Sequence, residues 1–200
     1  MTGKPANSRF TAKNLTYTAI MAALGTALSI LSIELVHLAP TQISLDLSHL
    51  GTFLVAIPGG PIIGAITGAI VGIYPGIAFG YTQGTMGILG LVGLPLGKAL
   101  TGAFCGITQR LLKRPFLSVI IGYVPECLFT LWLFALVCPA VLGWDPYFSL
   151  IILGIPILMK AWIEILAMSF IMESVFQIRG IVHMLRTIFP NWDYTPLTEL

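Results

Sequence analysis

The sequence predicts an all-α membrane protein: a compact bundle of six transmembrane helices with both termini in the cytoplasm. Three observations carry that prediction. Of the 200 residues, 56% are hydrophobic and only 9% are charged, and the mean hydropathy is +0.94. A soluble domain carries roughly a quarter charged residues, so these charges could not cover a water-facing surface. Several apolar runs also reach the roughly 20 residues a helix needs to cross a hydrocarbon core about 30 Å thick. Finally, lysine and arginine fall in alternate loops, as retention of positive charge on the cytoplasmic side requires.

The spans read from the pattern are 15–38, 48–59, 61–79, 86–110, 116–138 and 148–178. Lys4, Arg9 and Lys13 precede the first, Arg110, Lys113 and Arg114 close the fourth, and Arg179 and Arg186 follow the sixth. The intervening loops 39–47, 80–85 and 139–147 hold no Lys or Arg, and carry Asp46 and Asp145. The first apolar run exceeds the core of a secretory signal, and its small-residue stop, Ala39, is followed by Pro40, so it reads as an uncleaved helix. The second span is short and has to tilt; Asp46 or Ser48 can cap its start, and Pro61 suits the first turn of the third. Residues 1–14 and 179–200 read as polar cytoplasmic tails of a single membrane domain, 1–200.

Helix packing is legible too. Gly60, Gly64, Gly68, Gly72, Gly76 and Gly80 recur at every fourth position, and Gly93/Gly97 with Gly102/Gly106 repeat the spacing in the fourth span. In lipid, small residues permit the close backbone approach on which helix association depends, so these stripes predict tight packing within the bundle. A second stripe, Ala19, Ala23 and Ala27 with Ala22 beside it, fits either internal packing or a docking surface for another membrane subunit. The cysteines, Cys105, Cys127 and Cys138, lie singly in apolar runs and read as small buried hydrophobes.

Ionisable side chains inside a membrane are costly and mark candidate sites. Lys98, Glu126 and Lys160 each lie about 12 residues, or roughly 18 Å, from the outer ends of their spans, which puts charge from three helices in one layer. Glu164 is one turn deeper on the face of Lys160. Two positive and two negative groups could pair privately and lock the bundle, or line a common polar pocket. Pro156 removes a helical hydrogen bond nearby and is expected to bend the sixth span around a cavity. On the outer face, Glu34, His37, Asp46 and His49 could together ligate a divalent transition metal, but their spacing matches no metal motif, and a polar lid over a pocket explains them better. Trp144, Asp145 and Tyr147 could close the same mouth or anchor the interface. No catalytic motif, nucleotide-binding motif, resident metal or cofactor is expected, and no basic run suggests nucleic acid. An ATP-driven role would therefore need a partner protein.

Two stretches bear a family likeness. TYTAIMAALGTALS in the first span resembles the alanine-motif helix of the substrate-binding S components of energy-coupling factor (ECF) vitamin transporters, and LDLSHLGTFLVAIPGGPIIGAITGAIVG is similar to that family's entry into its second and third helices. The resemblance covers nearly the whole chain. It implies capture of a vitamin or related micronutrient from outside the cell, and association with a transmembrane coupling protein and two ABC ATPase subunits through the face of Ala19, Ala23 and Ala27. It further implies that the loaded subunit topples in the membrane to release its ligand inside. The substrate-binding residues implied are Asp46 and His49 at the lid, with Lys98, Glu126, Lys160 and Glu164 below and Trp144 at the mouth. The lysine–asparagine pair associated with the third helix of riboflavin-binding members is absent, so riboflavin is one candidate among several. The competing readings are a stand-alone carrier or channel, which the lack of a recognisable inverted repeat disfavours, an intramembrane enzyme using Glu126 or Glu164, and a metal-binding transporter subunit.

Overall fold

The computed structural model describes residues 11–38, with backbone only over 35–38, and residues 46–196; all described elements are helical. The chain folds as α1 (Ala12–Leu38), α2 (His49–Gly59), α3 (Pro61–Ile77), α4 (Ile88–Leu112), α5 (Pro115–Trp132), α6 (Cys138–Leu142), α7 (Ile155–Phe176) and α8 (Arg179–Ile188). Three π-helical segments, Ala78–Thr82, Leu133–Val137 and Phe148–Gly154, extend α3, join α5 to α6, and lead into α7. Five continuous helices are long and apolar enough to cross a membrane: Ala12–Glu34, Pro61–Thr82, Ile88–Leu112, Pro115–Leu142 and Phe148–Phe176. The protein is thus an all-α, multi-pass membrane protein.

The second expected span is different in kind. α2 has 11 residues, enough for only about 16 Å of helix. Eight of them are buried, and α2 touches all five long helices. A helix apolar on every side belongs in the centre of a bundle, and α2 is the axle around which the long helices stand.

The glycine series packs as expected. On α3 the glycines face α4, while Ile62, Ile66, Ile70, Ile73 and Ile77 form the opposite, exposed face that lipid can cover. A side chain at Gly68 or Gly102 would collide with a backbone carbonyl of the partner helix, and one at Gly72 would come to 2.5 Å from the Cα of Pro95. α1 joins this pair through another stripe. Asn14, Thr18, Ala22, Gly25, Ser29 and Ser32 are buried, with Gly25 lying against Val71 and the Ser48 carbonyl, whereas Ala19, Ala23 and Ala27 are exposed. Of the alanines, Ala22 alone serves internal packing. The first helix also begins earlier than expected. Thr11 and Asn14 cap it reciprocally, the Thr11 N–H donating to Asn14 Oδ1 at 2.8 Å and the Asn14 N–H to Thr11 Oγ1 at 3.3 Å.

The expected C-terminal tail is in fact structured through residue 196. α8 is amphipathic, and Val182, Leu185, Phe189 and Tyr194 are buried in the same apolar cluster as Phe53, Met172 and Phe176. Arg186 donates to the Tyr194 carbonyl, Lys113 pairs with Asp193, and Phe189 packs edge-on against Tyr17 at 5.8 Å. Polarity suggested a tail because α8 shows only one apolar stripe, and that stripe is the one it buries. The expected bend at Pro156 resolves into a change of winding: π-helical turns end at Gly154 and α winding begins at Ile155, so Pro156 sits at the junction of the two within the continuous Phe148–Phe176 helix.

Gly102→Leu is expected to break the α3–α4 contact by overpacking, a loss of about 1–3 kcal/mol or more. Size-exclusion profiles and unfolding temperatures in detergent check this; an unchanged monodisperse peak and midpoint would refute the close approach.

Candidate functional site

The predicted membrane charges converge. Asp46, His49, Lys98, Glu126, Lys160 and Glu164 line one cavity of about 320 Å³, near the lower end of the roughly 300–1,000 Å³ typical of small-molecule sites. It lies between two apolar clusters. Met86, Leu133 and Phe134 contribute from one, and Tyr123, Ile165 and Met168 from the other.

The Lys98 ammonium, on a residue only 4% exposed, is the hub. It sits 3.2 Å from Asp46 Oδ2 and donates to Ser48 Oγ at 2.6 Å. Asp46 Oδ1 accepts the Ser48 N–H at 3.0 Å, and the Asp46 N–H donates to Glu164 Oε1 at 2.8 Å. Glu164, 5% exposed, also lies 3.4 Å from Lys160 Nζ, one helical turn away.

Glu126 occupies the other side. The Thr101 hydroxyl donates to its Oε2, and His49 Nε2 stands 3.7 Å from its Oε1. The His49 ring stacks on Phe53 at 5.7 Å and meets Tyr123 edge-on at 6.2 Å, while its Nδ1 is buried with no hydrogen-bond partner among the described residues. Gly97 makes the space: a side chain there would begin 3.3 Å from Glu126 Cγ. This glycine belongs to the fourth-span series, yet it opens room for a carboxylate and not for another helix.

Asp46 and His49 differ most from expectation. The sequence pattern sets them at an outer lid above the buried charges, but Asp46 bonds to Lys98 and Glu164, and His49 stands 3.7 Å from Glu126, so both belong to the same layer. The reason is the shortness of α2, which starts within the bundle and carries its N-terminal residues in with it. Ser48 does not cap the helix with its side chain, since Lys98 uses that oxygen. The outer quartet does not assemble around one point: Glu34 accepts from the Tyr74 hydroxyl at 2.8 Å on the surface, and the His37 side chain lies outside the described residues. Trp144 does not line the cavity; it packs on Phe148 at 6.2 Å and against the cluster of Met86, Leu133 and Phe134. Asp145 Oδ2 accepts the Phe148 N–H at 2.9 Å, and Tyr147 is exposed. Ser48, Thr101, Tyr123 and Gly97 were not anticipated. Only Thr101 left a signal, lying one turn from Lys98 on the same helix face.

Fold and site together define an all-helical, multi-pass membrane protein with an internal cavity that is charged on one side and aromatic on the other. No protein-family model, curated protein or solved structure matches the chain.

Lys98→Met should strand the Asp46 carboxylate and lower the unfolding free energy by about 3–5 kcal/mol, whereas adding Asp46→Asn should recover about 1–3 kcal/mol. Unfolding of the two single variants and the double variant in detergent measures the coupling, and strict additivity would show that the pair is not coupled.

Proposed function

We propose that the protein is the substrate-binding S component of an ECF-type ABC importer, which captures a vitamin or related micronutrient from outside the cell. The observation that carries this reading is the convergence of six ionisable side chains from four segments of the chain on one cavity inside a lipid-embedded bundle. Buried charges are costly in such a setting, and those found there generally line a substrate or ion path. In this reading the five long helices and α2 make six crossings of the cell membrane, with both termini in the cytoplasm. The gathering of Arg110, Lys113, Arg114, Arg179 and Arg186 towards the end of the bundle that holds α8 is what the positive-inside rule requires of that orientation.

The second half of the proposal concerns partners. Ala19, Ala23 and Ala27 point away from the bundle and leave a smooth, shallow strip among larger exposed side chains such as Leu24 and Leu31. A strip of this kind suits close approach by another membrane helix, and the transmembrane coupling protein would dock there while two ABC ATPases supply the energy. The ligand would sit against Lys98, Glu126, Lys160 and Glu164, with Asp46 and His49 completing the polar side.

Lys160→Ala is expected to abolish binding of any small molecule that co-purifies with the wild type, while leaving expression and detergent stability largely intact. Native mass spectrometry of protein drawn from its own membranes reads both the ligand and any associated ATPases. If the variant aggregates and Lys160→Ala/Glu164→Ala restores it, the lysine is only a structural partner of Glu164. Ala23→Leu should spare ligand binding but prevent assembly with the coupling protein; assembly at wild-type yield would remove the docking role. Uptake by the purified chain alone in liposomes would identify a stand-alone carrier instead.

A further inference from the structure

The ionisable groups around the cavity are unevenly partnered. Asp46, Glu126 and Glu164 supply three carboxylates, Lys98 and Lys160 supply two ammonium groups, and His49 is the remaining ionisable ligand-facing base. Asp46 has Lys98 as its ionic partner and Glu164 has Lys160. Glu126 is held instead by the Thr101 hydroxyl and the His49 ring. Its side chain is 14% exposed, and Gly97 keeps the space beside it open. Close by, Phe79, Phe129, Leu133 and Phe134 wall the cavity with apolar and aromatic surface. Among the described residues no lysine or arginine pairs with Glu126; a buried carboxylate in that position is costly, and a bound cation offsets the cost.

We infer that the ligand of this cavity is an aromatic or otherwise apolar ring bearing a single cationic group, and that Glu126 is the residue that selects the charge. The inference rests on the ligand-capture reading only in taking the cavity as a binding site; it adds the charge class. The ring lies against Phe79, Phe129 and Phe134, where a cation at its edge also gains from the negative faces of the aromatic walls. The cationic group meets Glu126 and gives that carboxylate the kind of partner that Lys98 gives Asp46 and Lys160 gives Glu164.

The test uses three compounds of one size, 2-phenylethylammonium, 2-phenylethanol and phenylacetate, as cation, neutral and anion. Binding to the full-length purified protein is read from the rise in unfolding temperature with concentration, followed by reaction of the buried thiols Cys105 and Cys138 with a dye. The cation is expected to bind about tenfold or more tightly than either analogue, and Glu126→Gln to abolish that preference while Glu126→Asp retains part of it. Equal binding of all three, preference for the neutral or anionic compound, or binding of none overturns the inference. A cation preference that survives Glu126→Gln overturns the role of that residue, and if Glu126→Gln fails to fold, the preference of the wild type and of Glu126→Asp decides. Co-purification of ATPases tests the importer reading independently of these outcomes.

Discussion

An ammonium group in the interior of a lipid-embedded bundle has to be neutralised where it stands, and at Lys98 this requirement shapes the surrounding fold. Its counter-ion, Asp46, comes from the segment that enters α2 and not from a neighbouring long helix, so the ion pair fastens that segment at the depth the short α2 gives it. The Asp46 backbone then reaches Glu164 on α7, which ties α4, α2 and α7 through one residue. Breaking such a junction would leave charges unpaired in a medium of low dielectric, where the penalty is several kcal/mol per ion. The polar side of the cavity is thus a consequence of how the bundle manages one lysine.

The scaffold that permits this is set by absence of side chains. Glycines on α3 and α4 bring the two backbones into contact, so these helices form a rigid pair on which α1 and α2 are laid. Because α3 spends its inner face on α4, no side chain on that face competes for the bundle interior, and α2 can occupy the centre. Among the described residues no long helix fills the axis above the start of α2, and the cavity is lined from α4, α5 and α7. The π-helical turns add to this. Phe79, Leu133 and Phe134 come from two of them, and the wider winding of a π turn re-aims side chains that an α-helix would direct elsewhere.

Much of this was readable along the chain, and the parts that were not share one cause. The long spans, the glycine seam and the four membrane charges each follow from a one-dimensional property: run length, a period of four, or a costly residue in an apolar setting. The depth of Asp46 and His49 is not legible in the chain, because loop residues carry no periodicity and their level depends on the length of the helix that follows. α8 reads as a tail because a single apolar stripe among polar residues is recognised only when a surface lies against it. Residue type puts Trp144 at the mouth, yet its indole is used in packing.

The sequence by itself determined that lipid surrounds this protein, that its helices approach closely at glycine, and which ionisable groups must be buried, because each of these depends on what a residue costs in hydrocarbon whatever its neighbours. Only the tertiary structure decided which charges meet, since pairing depends on the rotation and depth of each helix, and these are settled by packing against the others. That is why Glu126 appears in the chain as one of four equivalent charges, and in the fold as the carboxylate held by a hydroxyl and an imidazole.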